Sequence, residues 1–346
     1  MLMRKYVGVL TLAFVCTAAA GALLRASGLP LWAYGYITPQ TSPVDYSHKC
    51  TGARPFDCAR GAPPPDDGII RHLPDSNGAF TLRQIANDYG PADWYPGDHP
   101  PMPDIVAHGK ESIGLRACGL CHYPNGQGKP ENSPVAGQPV GYFMQQMADF
   151  RSGARKTADP NKANGFEMGA IAQGLTDAET KAAAEYFGSI KFRPWVKVVE
   201  TSAAPKFMAT LNGLFQQADG TATEPLGQRL IEVPEKRDDT FLLRNPRSGF
   251  IAYVPVGSIA KGEALVTTGG AGKTVRCGIC HGPDLKGLGP VPGIAGRQAS
   301  YVVRQLYDIQ QGARKGIWAD LMKAAVAKLG EEEMLQIAAY TASRVP

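Results

Sequence analysis

Two short stretches of the chain combine cysteine and histidine at one spacing. Both follow the pattern Cys-x-x-Cys-His: Cys118, Cys121 and His122, then Cys277, Cys280 and His281. Within one helical turn this spacing presents two thiols for thioether bonds to the vinyl groups of a porphyrin, and the imidazole that follows reaches the iron. A zinc site or a redox dithiol is the alternative, but a histidine directly after the second cysteine, occurring twice, favours haem. The sequence therefore predicts two covalently bound haem c groups.

The two motifs occupy equivalent places in a duplicated segment of about 80 residues. A shift of 159 residues brings His122 onto His281 and Tyr142 onto Tyr301, and the run Gly-Ala-Arg-Lys at residue 153 recurs at residue 312. After a deletion of five residues the shift becomes 154, and it continues to the end of the second copy. The chain therefore contains two related haem-binding units.

The duplication also selects the sixth ligand of each iron. Met168 and Met322 are methionines in both copies, whereas Met144 and Met147 correspond to aliphatic residues and Met334 corresponds to a threonine. We therefore predict Met168 and Met322 as the distal ligands. A thioether opposite an imidazole favours ferrous iron, raises the reduction potential and fills the last coordination position. Such a centre suits electron transfer better than substrate chemistry.

Helices are expected to frame each motif. One is predicted from Ile105 into the first motif, and each unit closes with a helix, which begins with a capping box at 176–179 or with three glutamates at 331–333. The closing helix is expected to pack across the helix that precedes the motif. Arg155 and Arg314 each follow a helix-ending glycine and are candidates for pairing with haem propionates. A solvated basic helix end is the alternative for both.

Length and charge restrict the class of protein. The chain has 346 residues, of which 44% are hydrophobic, so it is long enough for two or three packed domains. Its formal net charge is +5, and two haems would add about four propionate charges, which leaves a balance near neutral. Nothing in this balance indicates a nucleic-acid partner.

An uncharged run at residues 6–24 follows Arg4 and Lys5. It nearly matches the roughly 20 residues needed to span a bilayer, while three alanines at 18–20 satisfy the cleavage rule of an export signal. Residues 1–26 are therefore predicted to be a membrane anchor or a signal peptide. In either case the rest of the chain is expected on the periplasmic side of the inner membrane, anchored or soluble after cleavage.

Residues 27–103 are rich in proline, glycine and aspartate and are predicted to form a loop-rich extension, with helical periodicity only near residues 80–89. This extension either wraps the first haem domain or meets a partner. Cys50 and Cys58 are expected to close a disulfide in an oxidising compartment, with two free thiols as the alternative. Three histidines here lack companion ligands and are predicted to be loop residues: His48, His72 and His99.

The composition changes again at residues 193–257, between the two units. Three β-branched or alternating runs near residues 196, 229 and 250 predict short strands, in a small antiparallel sheet or in an extended belt. Such a segment is far longer than a tether requires. Its plainest role is that of a scaffold that fixes the two haems relative to each other.

With these motifs in place, the chain resembles the class I c-type cytochromes, and most closely the dihaem cytochromes of the c-four type. The resemblance covers residues 104–191 and 258–345, and it implies a mainly α fold with cytochrome c domains at 104–192 and 258–346. The extension and the inter-domain segment depart from that family. The resemblance also implies that His122 and His281 are the proximal ligands and that Met168 and Met322 are the distal ligands. It implies that the backbone carbonyl of Pro134 or Pro292 orients the proximal imidazole.

The resemblance implies a carrier of single electrons between a respiratory or dehydrogenase donor and an acceptor, rather than an enzyme. The partners would be redox proteins, such as a membrane-bound dehydrogenase or oxidase. The alternative is a dihaem enzyme of the peroxidase or thiosulfate-oxidising type. A peroxidase needs a vacant or displaceable distal site, and the thiosulfate-oxidising enzymes use a cysteine ligand. Neither unit has a cysteine outside its motif.

Overall fold

The computed structural model describes residues 66–159, 162–209 and 215–346. Within these ranges the helices are α1 Leu82–Ile85, α2 Asp104–Ala107, α3 Cys118–His122, α4 Val140–Ser152, α5 Ala163–Gly174, α6 Asp177–Ser189, α7 Arg237–Phe241, α8 Ser258–Thr268, α9 Gly278–His281, α10 Ala299–Gln310, α11 Ile317–Val326 and α12 Glu331–Ala342. The strands are β1 Val196–Glu200, β2 Ala203–Pro205, β3 Phe207–Ala209, β4 Phe215–Gln217, β5 Thr223–Pro225, β6 Ile231–Pro234, β7 Phe250–Val254, β8 Gly287–Leu288 and β9 Val291–Pro292.

Parts of the sequence predictions fall outside the described residues, namely the leader at 6–24, His48, and the disulfide between Cys50 and Cys58. In the part of the chain that the structure describes, no helix has both the length and the apolar character needed to cross a bilayer.

The first unit is built from α2 to α6 around one hydrophobic core. The capping box predicted at the start of α6 is present, because the Thr176 hydroxyl accepts from the backbone N–H of Glu179 and the Glu179 carboxylate accepts from the backbone N–H of Thr176. The helix expected from Ile105 is a single turn, α2, since Gly109 adopts a φ of 67° shortly after it. There the chain passes so close to Leu115 that a Cβ on Gly109 would lie 2.4 Å from its carbonyl oxygen.

The second unit consists of α8 to α12 around its own core, and here the helix before the motif is complete. As predicted, the closing helix α12 packs across α8. The two backbones meet at Gly262, where an added Cβ would lie 2.0 Å from the carbonyl oxygen of Gln336. Gly262 is therefore the residue that allows this crossing.

The inter-domain segment forms a three-stranded sheet in the order β1-β7-β6. Strand β6 is antiparallel to β7, but β1 is parallel to it, so the prediction of an antiparallel sheet is wrong for one of the two pairs. Parallel neighbours require a long connection. The chain between β1 and β7 provides it, with the antiparallel pairs β2–β5 and β3–β4 along the way.

This sheet packs against both units and is more than a flexible connection between them. Phe250, at the start of β7, belongs to the first hydrophobic core together with Trp195, whereas Ala252 and Val254 on the same strand belong to the second. Phe250, Ala252 and Val254 are all fully buried. One strand thus contributes to both cores.

The described part of the N-terminal extension, residues 66–103, packs against the inter-domain segment. The indole nitrogen of Trp94 donates to the carbonyl of Leu243 at 2.6 Å. Asp98 accepts two hydrogen bonds, of 2.7 and 2.8 Å, from the guanidinium of Arg247, which lies over the ring of Tyr95. Leu73, Ile85, Trp94 and Tyr95 form a small hydrophobic core in the extension, and Leu243 of the inter-domain segment packs against it. The extension thus helps to hold the inter-domain segment in place. Helical structure near residues 80–89 is limited to α1.

Candidate haem sites

The first attachment motif coincides with α3, so one turn carries Cys118, Cys121 and His122 as the spacing predicts. Neither cysteine forms a disulfide in the part of the chain that the structure describes, so both sulfurs are available for thioether bonds. Burial raises the pKa of Cys118 to about 12 and that of Cys121 to about 11, so both are protonated at neutral pH. The second motif forms the equivalent turn, α9, directly after Cys277.

Each motif histidine is oriented by a backbone carbonyl. The Nδ1–H of His122 donates to Ser133 at 2.7 Å, and that of His281 donates to Pro292 at 2.8 Å. This bond fixes the tautomer, so Nε2 keeps its lone pair for a metal. Burial lowers the pKa of both imidazoles, which also favours the neutral form that binds iron.

The assignment of Pro134 to this role is wrong, because Ser133 supplies the carbonyl in the first unit. The shift of 159 residues maps Pro292 onto Ser133, whereas matching the two prolines displaced the register by one. The carbonyl of Pro134 accepts instead from Gln138 at 2.9 Å and from Arg297 at 2.8 Å. The position of Pro292 agrees with the expectation.

A cavity of about 110 Å³ lies beside the imidazole of His122, which forms part of its wall. Met168 lines the same cavity, and so does Met147, which is buried on α4. Aromatic and aliphatic side chains form much of the wall: Val135, Phe143 and Phe150. Two thiols on one turn, an imidazole with a free Nε2, a thioether and an apolar wall are together the donor set and surroundings that haem c requires. The first site therefore fits that group.

The second site repeats these parts in a more open setting. Cys277 and Met322 both pack against the second hydrophobic core, as Cys118 and Met168 do against the first. The side chain between the cysteines differs between the copies, because Leu120 is 6% exposed and its equivalent Ile279 is 54% exposed. The thioether edge of the second site is thus accessible, whereas the first is covered.

Arg155 and Arg314 lie at the contact between the two units. Arg155 donates to Gln146 of its own unit and to Tyr301 of the other, at 3.0 and 3.1 Å. Arg314 donates reciprocally to Tyr142 and Gln146, at 2.6 and 2.7 Å. The backbones of the two arginines also pair with each other, as an isolated antiparallel β-bridge. The alternative of a solvated helix end is therefore wrong for both arginines. Their pairing with haem propionates stays a prediction, and it is compatible with the position of Arg155 in the wall of the first cavity.

Some residues of this contact were not singled out from the sequence as site residues. Burial acts to raise the pKa of Tyr301, but the charges of Arg155 and Arg314 outweigh it and lower that pKa to about 8. Burial lowers the pKa of Lys162, in the wall of the first cavity, to about 7. The signal for Tyr301 was available, because the duplication pairs it with Tyr142; Lys162 has no such signal.

The described histidines of the extension behave as predicted. Both ring nitrogens of His99 have partners, Nδ1 at 2.9 Å from the carbonyl oxygen of Pro100 and Nε2 at 3.2 Å from the carboxylate of Asp93. His72 is exposed. His99 is therefore occupied by neighbours within its own segment.

Comparison with known proteins gives a consistent result. The family model for cytochrome c matches residues 106–191. Cytochrome c-554(548) of Halomonas halodenitrificans is 37% identical over 89 residues, 25% of this chain and 98% of that protein. Cytochrome c4 of Azotobacter vinelandii is 25% identical over 228 residues, 64% of this chain and 82% of that protein. The thiosulfate dehydrogenase electron acceptor of Stutzerimonas stutzeri is 27% identical over 242 residues, 69% of this chain and 84% of that protein.

Proposed function

Because this chain belongs to the cytochrome c family and is similar to the dihaem cytochromes c4, we propose that it relays single electrons between a donor and an acceptor through two covalently bound haem c groups. The observation that carries this function is the repeated geometry of an attachment turn followed by an imidazole held at Nδ1 by a backbone carbonyl. Haem c supplies a one-electron ferric/ferrous couple when bound.

The contact between the units supports transfer between the two sites. Tyr301, Arg304 and Gln305 of the second unit line the cavity of the first, next to Arg155. The reciprocal bonds of Arg155 and Arg314 fix this contact from both sides. The chain thus holds the two sites at a constant relative position, as a relay requires.

The donor we propose is a dehydrogenase in the periplasm. One similar protein is named as an electron acceptor of thiosulfate dehydrogenase. A role as an electron acceptor fits this chain, because its predicted distal methionines would fill the sixth coordination position of both irons. Attachment of haem to cysteines is expected outside the cytoplasm, and residues 1–26 provide the export signal or the membrane anchor. A thiosulfate-oxidising enzyme is disfavoured because neither unit has a cysteine to act as a distal ligand.

We place the docking of that partner on the second unit. The first attachment turn is covered, since Asn125 donates to Pro246 at 2.7 Å and Trp195 donates to Gly128 at 3.0 Å. The second turn has no equivalent cover among the described residues, and Ile279 stands exposed there. Arg276 close by is exposed as well. An apolar centre with a basic neighbour suits a partner whose docking face has an acidic rim.

The experiment measures electron exit from the complete, reduced haem-loaded protein to an anionic small oxidant, ferricyanide, by stopped-flow absorbance. Arg276→Glu should slow this reaction several-fold at low ionic strength, and the effect should shrink as salt is added. Arg83→Glu on the N-terminal extension, also an exposed arginine, is the matched control and should change the rate little. Equal effects of the two variants would contradict the assignment of the docking site to the second unit.

The function itself is tested with variants that lose one attachment site. Cys118→Ala with Cys121→Ala, and separately Cys277→Ala with Cys280→Ala, should each leave one covalently bound haem in the chain. Denaturing electrophoresis with haem-dependent peroxidase staining checks this, with the unchanged chain as the reference for two. If either double variant retained the full stain, the attachment site it removes would be refuted.

A further inference from the structure

Arg297 is a buried cation at the contact between the two units. It lies in the turn before α10, and only 5% of it is exposed. Its guanidinium lies over the ring of Phe192, 4.4 Å from the ring centroid. Burial lowers its pKa to about 10, so it stays charged at neutral pH. Among the described residues, the groups whose charges act on this pKa are Tyr301 and Tyr142, and neither is a carboxylate.

The hydrogen bonds of Arg297 reach the two loops that orient the motif histidines. Its Nε donates to the carbonyl of Gly293 at 3.0 Å, directly after Pro292, whose carbonyl holds His281. One terminal nitrogen donates to the carbonyl of Pro134 at 2.8 Å, directly after the residue whose carbonyl holds His122. The other terminal nitrogen donates to Ala136 at 3.3 Å. One side chain thus bridges both loops.

The duplication shows what is unusual about this residue. The equivalent of Arg297 in the first unit is Gln138, whose amide nitrogen donates to the carbonyl of Pro134 at 2.9 Å. The neutral glutamine therefore contacts the loop of its own unit. The arginine contacts both loops and brings a positive charge with it. Planar guanidinium groups are suited to this because they donate in several fixed directions.

We propose that Arg297 is a positioning residue that clamps the two proximal-histidine loops together and raises the reduction potentials of both haems. A reduced haem carries one positive charge fewer than an oxidised one, so a nearby buried cation that no carboxylate of the described residues neutralises favours the reduced form. The bonds to the carbonyls at Gly293 and Pro134 give the clamp its geometric part. This inference rests on the proposed function, because it requires haem at both motifs.

The experiment is a spectroelectrochemical titration of the complete haem-loaded chain with Arg297→Gln, which installs the residue of the first unit. Arg297→Met is the second neutral variant and fills a similar volume if the glutamine variant fails to fold. Loss of the charge should lower the ferrous-to-ferric ratio at a fixed applied potential by about three- to tenfold at both haems. A tenfold change corresponds to about 59 mV for a one-electron couple.

Two further variants separate the charge from simple packing. Arg297→Lys keeps the charge and should restore at least half of the shift in potential, although it cannot bridge both loops. Arg344→Gln removes another guanidinium that lies over a ring, 4.5 Å from the centroid of Tyr340, and should leave both potentials unchanged. Proton NMR of the oxidised protein should show shifted resonances of both proximal histidines in Arg297→Gln.

The haem content is measured first, so that the two proposals can fail separately. A chain that binds fewer than two haems contradicts the proposed function. With two haems bound, unchanged potentials in the neutral variants would overturn the role of Arg297. Equal shifts in Arg297→Lys and Arg297→Gln would also overturn it, because the effect would then come from packing and not from the charge.

Discussion

Replacing Phe250 with alanine tests whether the inter-domain segment is part of the haem-domain cores. Phe250 is fully buried at the start of β7, where its backbone pairs with Val196 on one side and with Pro234 on the other. Its ring lies 5.9 Å from the ring of Trp195, at an angle of 65°. Both side chains belong to the core of the first unit.

The expected cost of Phe250→Ala follows from this burial. Truncation of a fully buried phenylalanine lowers the free energy of unfolding by about 3–5 kcal/mol, since it removes apolar contacts and leaves a cavity. A phenylalanine on the surface of a flexible tether would cost within about 0.5 kcal/mol. The two descriptions of the segment therefore differ by several kcal/mol, well beyond the error of an unfolding experiment.

The assay is urea unfolding of the haem-loaded chain, followed both by tryptophan fluorescence and by the haem absorbance. Leu242→Ala is the control on the same segment, because Leu242 is 49% exposed. Phe250→Ala should shift both signals to lower urea, whereas Leu242→Ala should shift neither by much. A loss below about 1 kcal/mol for Phe250→Ala would refute the shared core.

The other predictions concern single side chains. Met168→Ala should abolish about half of the methionine-to-iron charge-transfer band of the oxidised protein, while Met147→Ala should lower stability and leave the band in place; the reverse would exchange their roles. Gly262→Ala should lower the free energy of unfolding by at least about 2 kcal/mol in thermal unfolding, because the new Cβ would lie 2.0 Å from a carbonyl oxygen of α12. Asp98→Asn should lower it by about 0.5–1 kcal/mol at neutral pH after solvent screening, and by progressively less at acidic pH, as the pH falls through the lowered pKa of Asp98. The hydrogen bond from Arg247 holds the pKa of Asp98 below its usual value of 3.8, so the stability that this carboxylate contributes is present above that pH and is lost as the pH falls. An equal loss at neutral and at acidic pH would contradict this account of Asp98.

The parts of the fold that follow from local pattern were predictable. The two attachment turns and the capping box of α6 depend on residue spacing and on short-range hydrogen bonds, which the sequence displays directly. The pairing of Tyr142 with Tyr301 also followed from the internal repeat. The structure shows each of them hydrogen-bonded to an arginine of the other unit.

Other features depend on which segments meet in space. The parallel pairing of β1 with β7 could not be read from strand composition, because a β-branched run is the same in either direction. The bridge made by Arg297 depends on how the units face each other, and no local pattern around residue 297 reports that. The error at Pro134 has a different origin. The resemblance assigns the role to a proline in each copy, whereas the constant register of the repeat pairs Pro292 with Ser133.

The central claim is that one chain holds two haems and exchanges one electron with each. The most direct measurement is an anaerobic titration of the complete haem-loaded chain with a reductant of known concentration, followed by haem absorbance, together with the haem content per chain. The account predicts two haems per chain and two electrons taken up reversibly, in two one-electron steps. One haem per chain, or an uptake of a single electron, would contradict it.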